Sequence, residues 1–182
     1  MVKRIRSLSM FAALAISLFV FGGAAYIRAH SQTQQFVPYV RISHVTQYDA
    51  EGHGTRLYTE VFRQHADGRA ETVQAYTDGS VRVVRSDPQS GVFSLHPDGE
   101  HRLGNARKTP IQVDFRAHEG FQYDAKVVGI PVAVVRQEQK GGGYIEMWHA
   151  PDFNNDPLRQ VIVNGEATIV IEPVQVIKGE SD

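Results

Sequence analysis

This 182-residue chain contains eight histidines, which could form a metal site because imidazole is a common ligand for zinc. His96 and His101 flank the tripeptide Pro97-Asp98-Gly99, so a hairpin at this turn would bring the two rings together. A zinc site still needs a third ligand and usually a fourth. His118 and His149 could supply one only through the fold. We therefore interpret the histidines as turn and strand-end residues, and we expect no metal site.

Residues 152–156 (DFNND) have the alternating oxygen ligands with which a calcium-binding loop begins. The sixth position of such a loop requires Gly and the twelfth requires Glu, whereas this chain has Pro157 and Val163 there. The pattern therefore excludes an EF-hand. We expect a polar corner between two strands instead.

The sequence contains only partial matches to known catalytic and phosphate-binding motifs. His118-Glu119 is not followed by a second histidine at the spacing of a metalloprotease, and Ser90-Gly91 lacks the strand-turn-helix setting of a nucleophile elbow. The glycines at 141–143 lack the following Lys-Ser/Thr of a phosphate-binding loop. The sequence therefore predicts a protein that is not an enzyme and has no cofactor.

Residues 1–29 are typical of an export signal. A basic start at residues 3–6 precedes an almost unbroken apolar run at residues 10–27, which includes small residues at 22–25. The run is also long enough to remain as a transmembrane helix, since a bilayer core needs about 20 apolar residues. Cleavage as a signal peptide and retention as a single-pass anchor in the inner membrane both stay open. Either one places residues 30–182 in the periplasm or cell envelope.

Removal of residues 1–29 leaves 153 residues, the size of one domain with a substantial core. The remaining charged side chains are 15 basic and 20 acidic, a net charge of −5. Because nucleic-acid binding depends on dense Lys and Arg contacts to phosphate, this balance argues against a nucleic-acid partner. The chain has no cysteine, so it has neither a disulfide nor a lipid-modified cysteine.

The elements that must position any site are strands, and three of them occupy residues 124–164. Residues 127–135 are almost continuously apolar, as in a strand that is covered on both faces. Residues 158–163 form the third strand of the segment. Residues 144–149 form the second strand of the segment. Their alternation places three side chains on one face: Tyr144, Glu146 and Trp148.

Further runs of strand-forming residues are separated by the dipeptides that tight hairpins favour: Asp67-Gly68, Asp78-Gly79, Asp98-Gly99 and Asn164-Gly165. We predict these other strands at residues 36–48, 56–65, 69–77, 80–85, 91–96, 100–104, 111–116 and 168–177. Only residues 118–123 suit a helical turn. About ten strands with at most one or two short helices define an all-β domain. We expect an antiparallel meander that forms a curved sheet or half-open barrel, preceded by the N-terminal hydrophobic helix.

Aromatic residues are more numerous than the core of one flat sheet requires. In an exported sheet with few helices to cover it, they could line a concave apolar cavity. Exposed apolar concavity usually binds a ligand. The residues that we expect to line such a cavity are Tyr76, Phe115, Tyr144 and Trp148.

The order of these features resembles that of a β-rich family of exported bacterial proteins. The resemblance rests on Gly129-Ile130-Pro131-Val132, on residues 144–151 (YIEMWHAP) and on Pro157-Leu158-Arg159. That family is distantly similar to the periplasmic lipoprotein-carrier and sigma-regulator (LolA-like) superfamily. The resemblance implies a curved, incompletely closed barrel around a hydrophobic cavity for acyl chains. It carries no functional residue over to this chain.

Two functions stay open on these grounds. The first is a non-catalytic cell-envelope β domain that binds an apolar or lipid-like ligand, such as a lipid or an acyl chain, in a concave sheet. The second is a structural or protein-interaction domain that contacts another envelope protein and holds no small molecule. A continuous apolar cavity favours the first, whereas a filled core with an exposed apolar edge favours the second.

Overall fold

The computed structural model of this protein describes residues 35–96, 98–111, 122–139, 142–165 and 167–179. The apolar run at residues 10–27 lies outside these ranges, as do nearly all of the strand expected at 111–116 and the expected lining residue Phe115. Within the described ranges, no helix combines the length and the apolar character that crossing a membrane requires.

The described residues form eleven strands, joined into one curved antiparallel sheet. They are β1 (Tyr39–Tyr48), β2 (Gly54–Gln64), β3 (Ala70–Tyr76), β4 (Val81–Asp87), β5 (Gly91–His96), β6 (Gly99–Gly104), β7 (Gln122–Val127), β8 (Ile130–Glu138), β9 (Tyr144–Ala150), β10 (Asp156–Asn164) and β11 (Ala167–Lys178). One 3-10 turn, Pro151–Phe153, lies between β9 and β10. The expectation of an all-β antiparallel meander with a curved sheet is confirmed.

The strand order is β6-β5-β4-β3-β2-β1-β11-β10-β9-β8-β7. Two meanders, β1 to β6 and β7 to β11, are therefore joined where β1 pairs with β11. In that pairing Tyr39 lies opposite Lys178, and Tyr48 lies opposite Thr168. The four dipeptide turns predicted from the sequence all lie at hairpins, and their glycines have the positive φ that such turns require.

The apolar run at residues 127–135 is not one strand, which corrects the sequence-based expectation. β7 ends at Val127 and β8 begins at Ile130, with a turn at Val128-Gly129 between them. Both turn residues have positive φ, 45° and 81°, as in a type I′ hairpin. A valine at the first turn position gives no turn signal, so the apolar pattern concealed this hairpin. β8 itself is buried on both faces at residues 132–135, as its composition indicated.

We expect Val128→Asn to stabilise the protein. Val128 is 50% exposed and adopts a left-handed conformation that β-branched side chains resist. Asparagine tolerates this conformation and creates the Asn-Gly pair that type I′ turns favour. The free energy of unfolding should rise by about 1 kcal/mol and Tm by about 2–4 °C in thermal denaturation. Val81→Asn, at an exposed position in β4, serves as the control and should give no gain. An unchanged or lower Tm for Val128→Asn would show that the turn is unstrained.

One face of the sheet, called here the inner face, can be followed from strand to strand through residues that lie directly opposite each other. From β3 to β9 it carries Tyr76, Tyr58, Val45, Ile171, Gln160 and Met147. Along β1 the side chains on this face are buried and those on the other face are half-buried. The inner face of β1 consists of Tyr39, Arg41, Ser43 and Val45.

Two apolar clusters lie within the described part of the chain. The first comprises Tyr39, Val127, Val132, Ala150, Phe153 and Leu158. It joins β1 to β7 and β8, although β11, β10 and β9 separate these strands in the sheet. The sheet is therefore curved, so that side chains from strands far apart in the strand order meet. The second cluster comprises Val45, Tyr58 and Ile171, with Tyr76 and Ile169 packed against it.

Candidate ligand-binding face

A row of polar side chains crosses the inner face on the first meander. Ser43, Glu60, Gln74 and Arg82 lie directly opposite each other on β1, β2, β3 and β4, and we call them the polar row. The first three are buried and Arg82 is half-buried. Because a buried polar group is costly without a partner, the contacts of this row determine what it can do.

A buried ion pair anchors the polar row. Nη2 of Arg41 donates to Oε1 of Glu60 at 2.8 Å, and each side chain is only 8% exposed. Nη1 of Arg41 donates to the carbonyl oxygen of Pro157, at the start of β10. Burial lowers the pKa of the Arg41 guanidinium, but Glu60, together with smaller contributions from Tyr39 and Asp156, outweighs burial, so that the pKa is raised. Arg41 is therefore a fixed cation that links β1, β2 and β10.

Hydrogen bonds extend this pair along β3. Nε2 of Gln74 donates to Oε2 of Glu60 at 3.4 Å, and the hydroxyl of Tyr76 donates to Oε1 of Gln74 at 3.2 Å. The ring of Tyr58 packs against that of Tyr76, with centroids 4.9 Å apart. Burial, reinforced by the Glu60 charge, raises the pKa of Tyr58 well above its ordinary value. Tyr58 therefore stays neutral at the border between the polar row and the second apolar cluster.

Arg82, at the far end of the polar row, contacts a second hydrogen-bonded group on β5. Its Nε donates to Oγ of Ser94 at 3.3 Å, and that Oγ lies 2.9 Å from Nε2 of His96. Ser94 is buried, whereas His96 is exposed. The ring centroids of His96 and His101 are 5.0 Å apart. The hairpin between β5 and β6 thus brings these two rings together, as the sequence predicted.

The polar corner expected at residues 152–156 ties the two meanders to each other. Asp156 accepts a hydrogen bond from the Tyr39 hydroxyl at 3.0 Å and pairs with Arg107 at 2.7 Å. Burial, followed by the Asp156 charge, raises the pKa of Tyr39 well above its ordinary value. The side chain of Asn154 exchanges hydrogen bonds of 2.6 and 2.9 Å with the backbone of Val37. The side-chain oxygens of Asn154 and Asp156 are therefore engaged in structural contacts.

The loop between β1 and β2 brings together three ligand-type side chains that the sequence reading did not single out. One ligand atom from each of Asp49, Glu51 and His53 lies within 4.8 Å of the others, and all three residues are exposed. Nδ1 of His53 lies 3.3 Å from a carboxylate oxygen of Asp49. Their alternate spacing in a glycine-flanked loop was the signal available in the sequence. Exposed acidic groups commonly gather in this way without binding an ion.

The structure does not bring the expected lining residues into one site. Tyr76 lies on the inner face beside the second apolar cluster. Tyr144 and Trp148 share one face of β9, as the alternation predicted, but it is the face opposite to that of Met147. We call this the outer face. Phe115 lies outside the described residues. The part of these four residues in ligand binding stays a prediction.

Each aromatic ring on the outer face of β9 is covered by an arginine. The guanidinium carbon of Arg136 lies 3.9 Å from the centroid of Tyr144, and that of Arg159 lies 4.2 Å from the centroid of Trp148. These arginines pair in turn with carboxylates on neighbouring strands, Arg136 with Glu146 and Arg159 with Glu172. Trp148 is half-buried and also packs against the first apolar cluster. The arrangement stabilises this end of the sheet.

Comparisons with known proteins give matches at the level of structure. Neither a protein-family description nor a curated protein matches this chain. The lipoprotein LppX of Mycobacterium tuberculosis aligns with 95% of this chain and 97% of its own, at 14% identity and a TM-score of 0.46. A LolA superfamily protein of Nitrosomonas europaea aligns with 91% of this chain and 94% of its own, at 10% identity and a TM-score of 0.40. A LolA superfamily protein is thus among the solved structures to which this chain is similar.

Proposed function

We propose that this protein is a non-catalytic β domain of the cell envelope, which binds an apolar or lipid-like ligand against the inner face of its sheet. The observation that carries the proposal is the incomplete burial of apolar side chains on the inner face. Met147, Ile162 and Ile169 point to the inner face from β9, β10 and β11, and each is only half-buried. Apolar surface left open inside a concave sheet is a suitable place for an acyl chain.

The architecture supports the same proposal. A sheet normally buries one face against a layer of helices or a second sheet. In the ranges that the structure describes, the chain forms a single sheet and no α-helix. A bound ligand would pack against the half-buried apolar side chains of this sheet.

We place the protein in the periplasm or the cell envelope. Residues 1–29 would direct it there, either as a cleaved signal peptide or as a single-pass anchor in the inner membrane, and residues 30–182 would form one β domain. The basic start and the apolar run that follows it support this location. The proposed partner is a lipid or an acyl chain, with an envelope protein as the alternative.

Native mass spectrometry of the protein purified from its own envelope tests this function. We expect a population whose mass exceeds that of the polypeptide by one lipid, because an amphiphile with its chain on the inner face should survive purification. The control is the same protein unfolded, extracted with organic solvent and refolded, which should lose the added mass and regain it with palmitate. Protein that carries no lipid and takes up no palmitate after refolding would contradict the proposal. A structural or protein-interaction domain would then be the better description.

A further inference from the structure

We infer that the ligand is an amphiphile with one anionic head group, whose oxygens bind Arg82 while its chain lies on β8 to β11. This inference rests on the proposed function and specifies the class of ligand. It comes from the uneven distribution of polar and apolar side chains over the inner face and from the charge that remains there.

The composition of the inner face differs between the two meanders. On β2 to β5 it presents the polar groups of Glu60, Gln74, Tyr76, Arg82 and Ser94 among apolar side chains such as Phe62 and Val84. On β8 to β11 it is mainly apolar and presents Val135, Ile145, Met147, Ile162 and Ile169 beside Gln160. A hydrocarbon that covered the half-buried Arg82 would remove water from its guanidinium and give it no hydrogen bond in return. A ligand with one polar and one apolar end avoids this cost.

The sign of the polar end follows from the charges. Arg41 is neutralised by Glu60, and Arg107 is neutralised by Asp156. Arg82 has no carboxylate within 4.0 Å anywhere in the described ranges. The polar half of the inner face therefore has one cation whose charge is not balanced by a neighbouring carboxylate.

The geometry of Arg82 suits an anionic oxygen group. Its Nε is held by Ser94, a buried residue, so the base of the guanidinium is fixed. Among the described residues, its two terminal nitrogens have no hydrogen-bond acceptor. A guanidinium binds a carboxylate or phosphate through two parallel hydrogen bonds, and such charge-assisted bonds are stronger than neutral ones. Arg82 is also only half-buried, so that a ligand on the inner face can reach it.

Two ligands with the same chain test the inference: palmitate, which has a carboxylate, and hexadecanol, which is neutral. Displacement of the neutral probe N-phenyl-1-naphthylamine reports the affinity for each one. We expect Arg82→Gln to weaken palmitate binding roughly tenfold or more and to leave hexadecanol binding unchanged. The matched control is Arg85→Gln, in the same strand but on the other face, where Arg85 pairs with Glu71 at 3.0 Å. This control should change neither affinity.

Each outcome of this experiment has a distinct meaning. If Arg82→Gln leaves the palmitate affinity unchanged, or weakens both ligands equally, the head-group assignment is overturned and the proposed function stands. If the wild-type protein binds neither ligand, the proposed function itself fails. Should Arg82→Gln not fold, Arg82→Lys replaces it, because lysine keeps the charge but loses the two parallel hydrogen bonds. A loss of palmitate binding in Arg82→Lys with unchanged hexadecanol binding supports the assignment. An unchanged affinity for palmitate, or an equal loss of affinity for both ligands, overturns it.

Discussion

Replacing Glu60 with leucine should lower the free energy of unfolding by about 3–5 kcal/mol, because it leaves a buried guanidinium without its counter-ion. Arg41 and Glu60 are each 8% exposed and lie 2.8 Å apart, so water cannot take the place of the lost carboxylate. Gln74 also loses the acceptor of its side-chain amide. Urea denaturation of wild type and Glu60→Leu, followed by circular dichroism, measures the difference at pH 7.

The double variant Arg41→Met/Glu60→Leu distinguishes a lost ion pair from a simple packing defect. Since it leaves no charge uncompensated, it should be more stable than Glu60→Leu alone, by at least about 2 kcal/mol. Glu71→Leu is the matched control in the same sheet, because its partner Arg85 is largely exposed. That change should cost less than about 1 kcal/mol. A double variant that is no more stable than Glu60→Leu would show that the pair is not coupled.

Ile162→Glu should weaken the binding of palmitate by more than roughly tenfold, because an acyl chain on the inner face would have to remove water from the new carboxylate. Ile162 lies on the inner face of β10, opposite Ile145 of β9 and Ile169 of β11. It is half-buried, so part of its surface is free to contact a ligand. Displacement of the neutral fluorescent probe by palmitate, at a pH at which the glutamate is ionised, measures the loss.

The next residue provides the control. Val163 is also half-buried, but it lies on the outer face, opposite Tyr144 and Thr168. Val163→Glu introduces the same charge into the same strand, and it should leave the affinity for palmitate unchanged. Thermal denaturation of both variants confirms that each is folded at the temperature of the titration. Equal losses of binding in the two variants, or a loss in Val163→Glu alone, would show that the ligand does not lie on the inner face.

The hairpin turns and the faces of single strands could be predicted from the sequence, because each depends on a few neighbouring residues. Asp67-Gly68 and Asp78-Gly79 marked hairpins correctly, since glycine supplies the positive φ that these turns require. The alternation along β9 correctly placed Tyr144 and Trp148 on one face. The hairpin at Val128-Gly129 was missed because only one of its two residues is a turn former.

The site was harder to predict because its position depends on long-range pairing. β2 alternates Leu57, Thr59 and Val61 with Tyr58, Glu60 and Phe62, and hydrophobicity alone does not say which set faces inward. The pairing with β1 decides it, since Tyr58 lies opposite the buried Val45. Glu60 then becomes an interior residue only because Arg41 reaches it from the next strand. No local pattern in the sequence contains that information.

The position of β1 between β2 and β11 also has a consequence for the order of folding. Hairpins between successive strands need only short loops to close, so each meander can form quickly as its residues become available. The pairing of Tyr39 with Lys178 must wait until β11 has been synthesised. Until then β1 has an open edge and the Asp156 contact of Tyr39 cannot form. We therefore expect the pairing of β1 with β11, which joins the two meanders, to form late in folding, because it closes the largest sequence separation in the sheet.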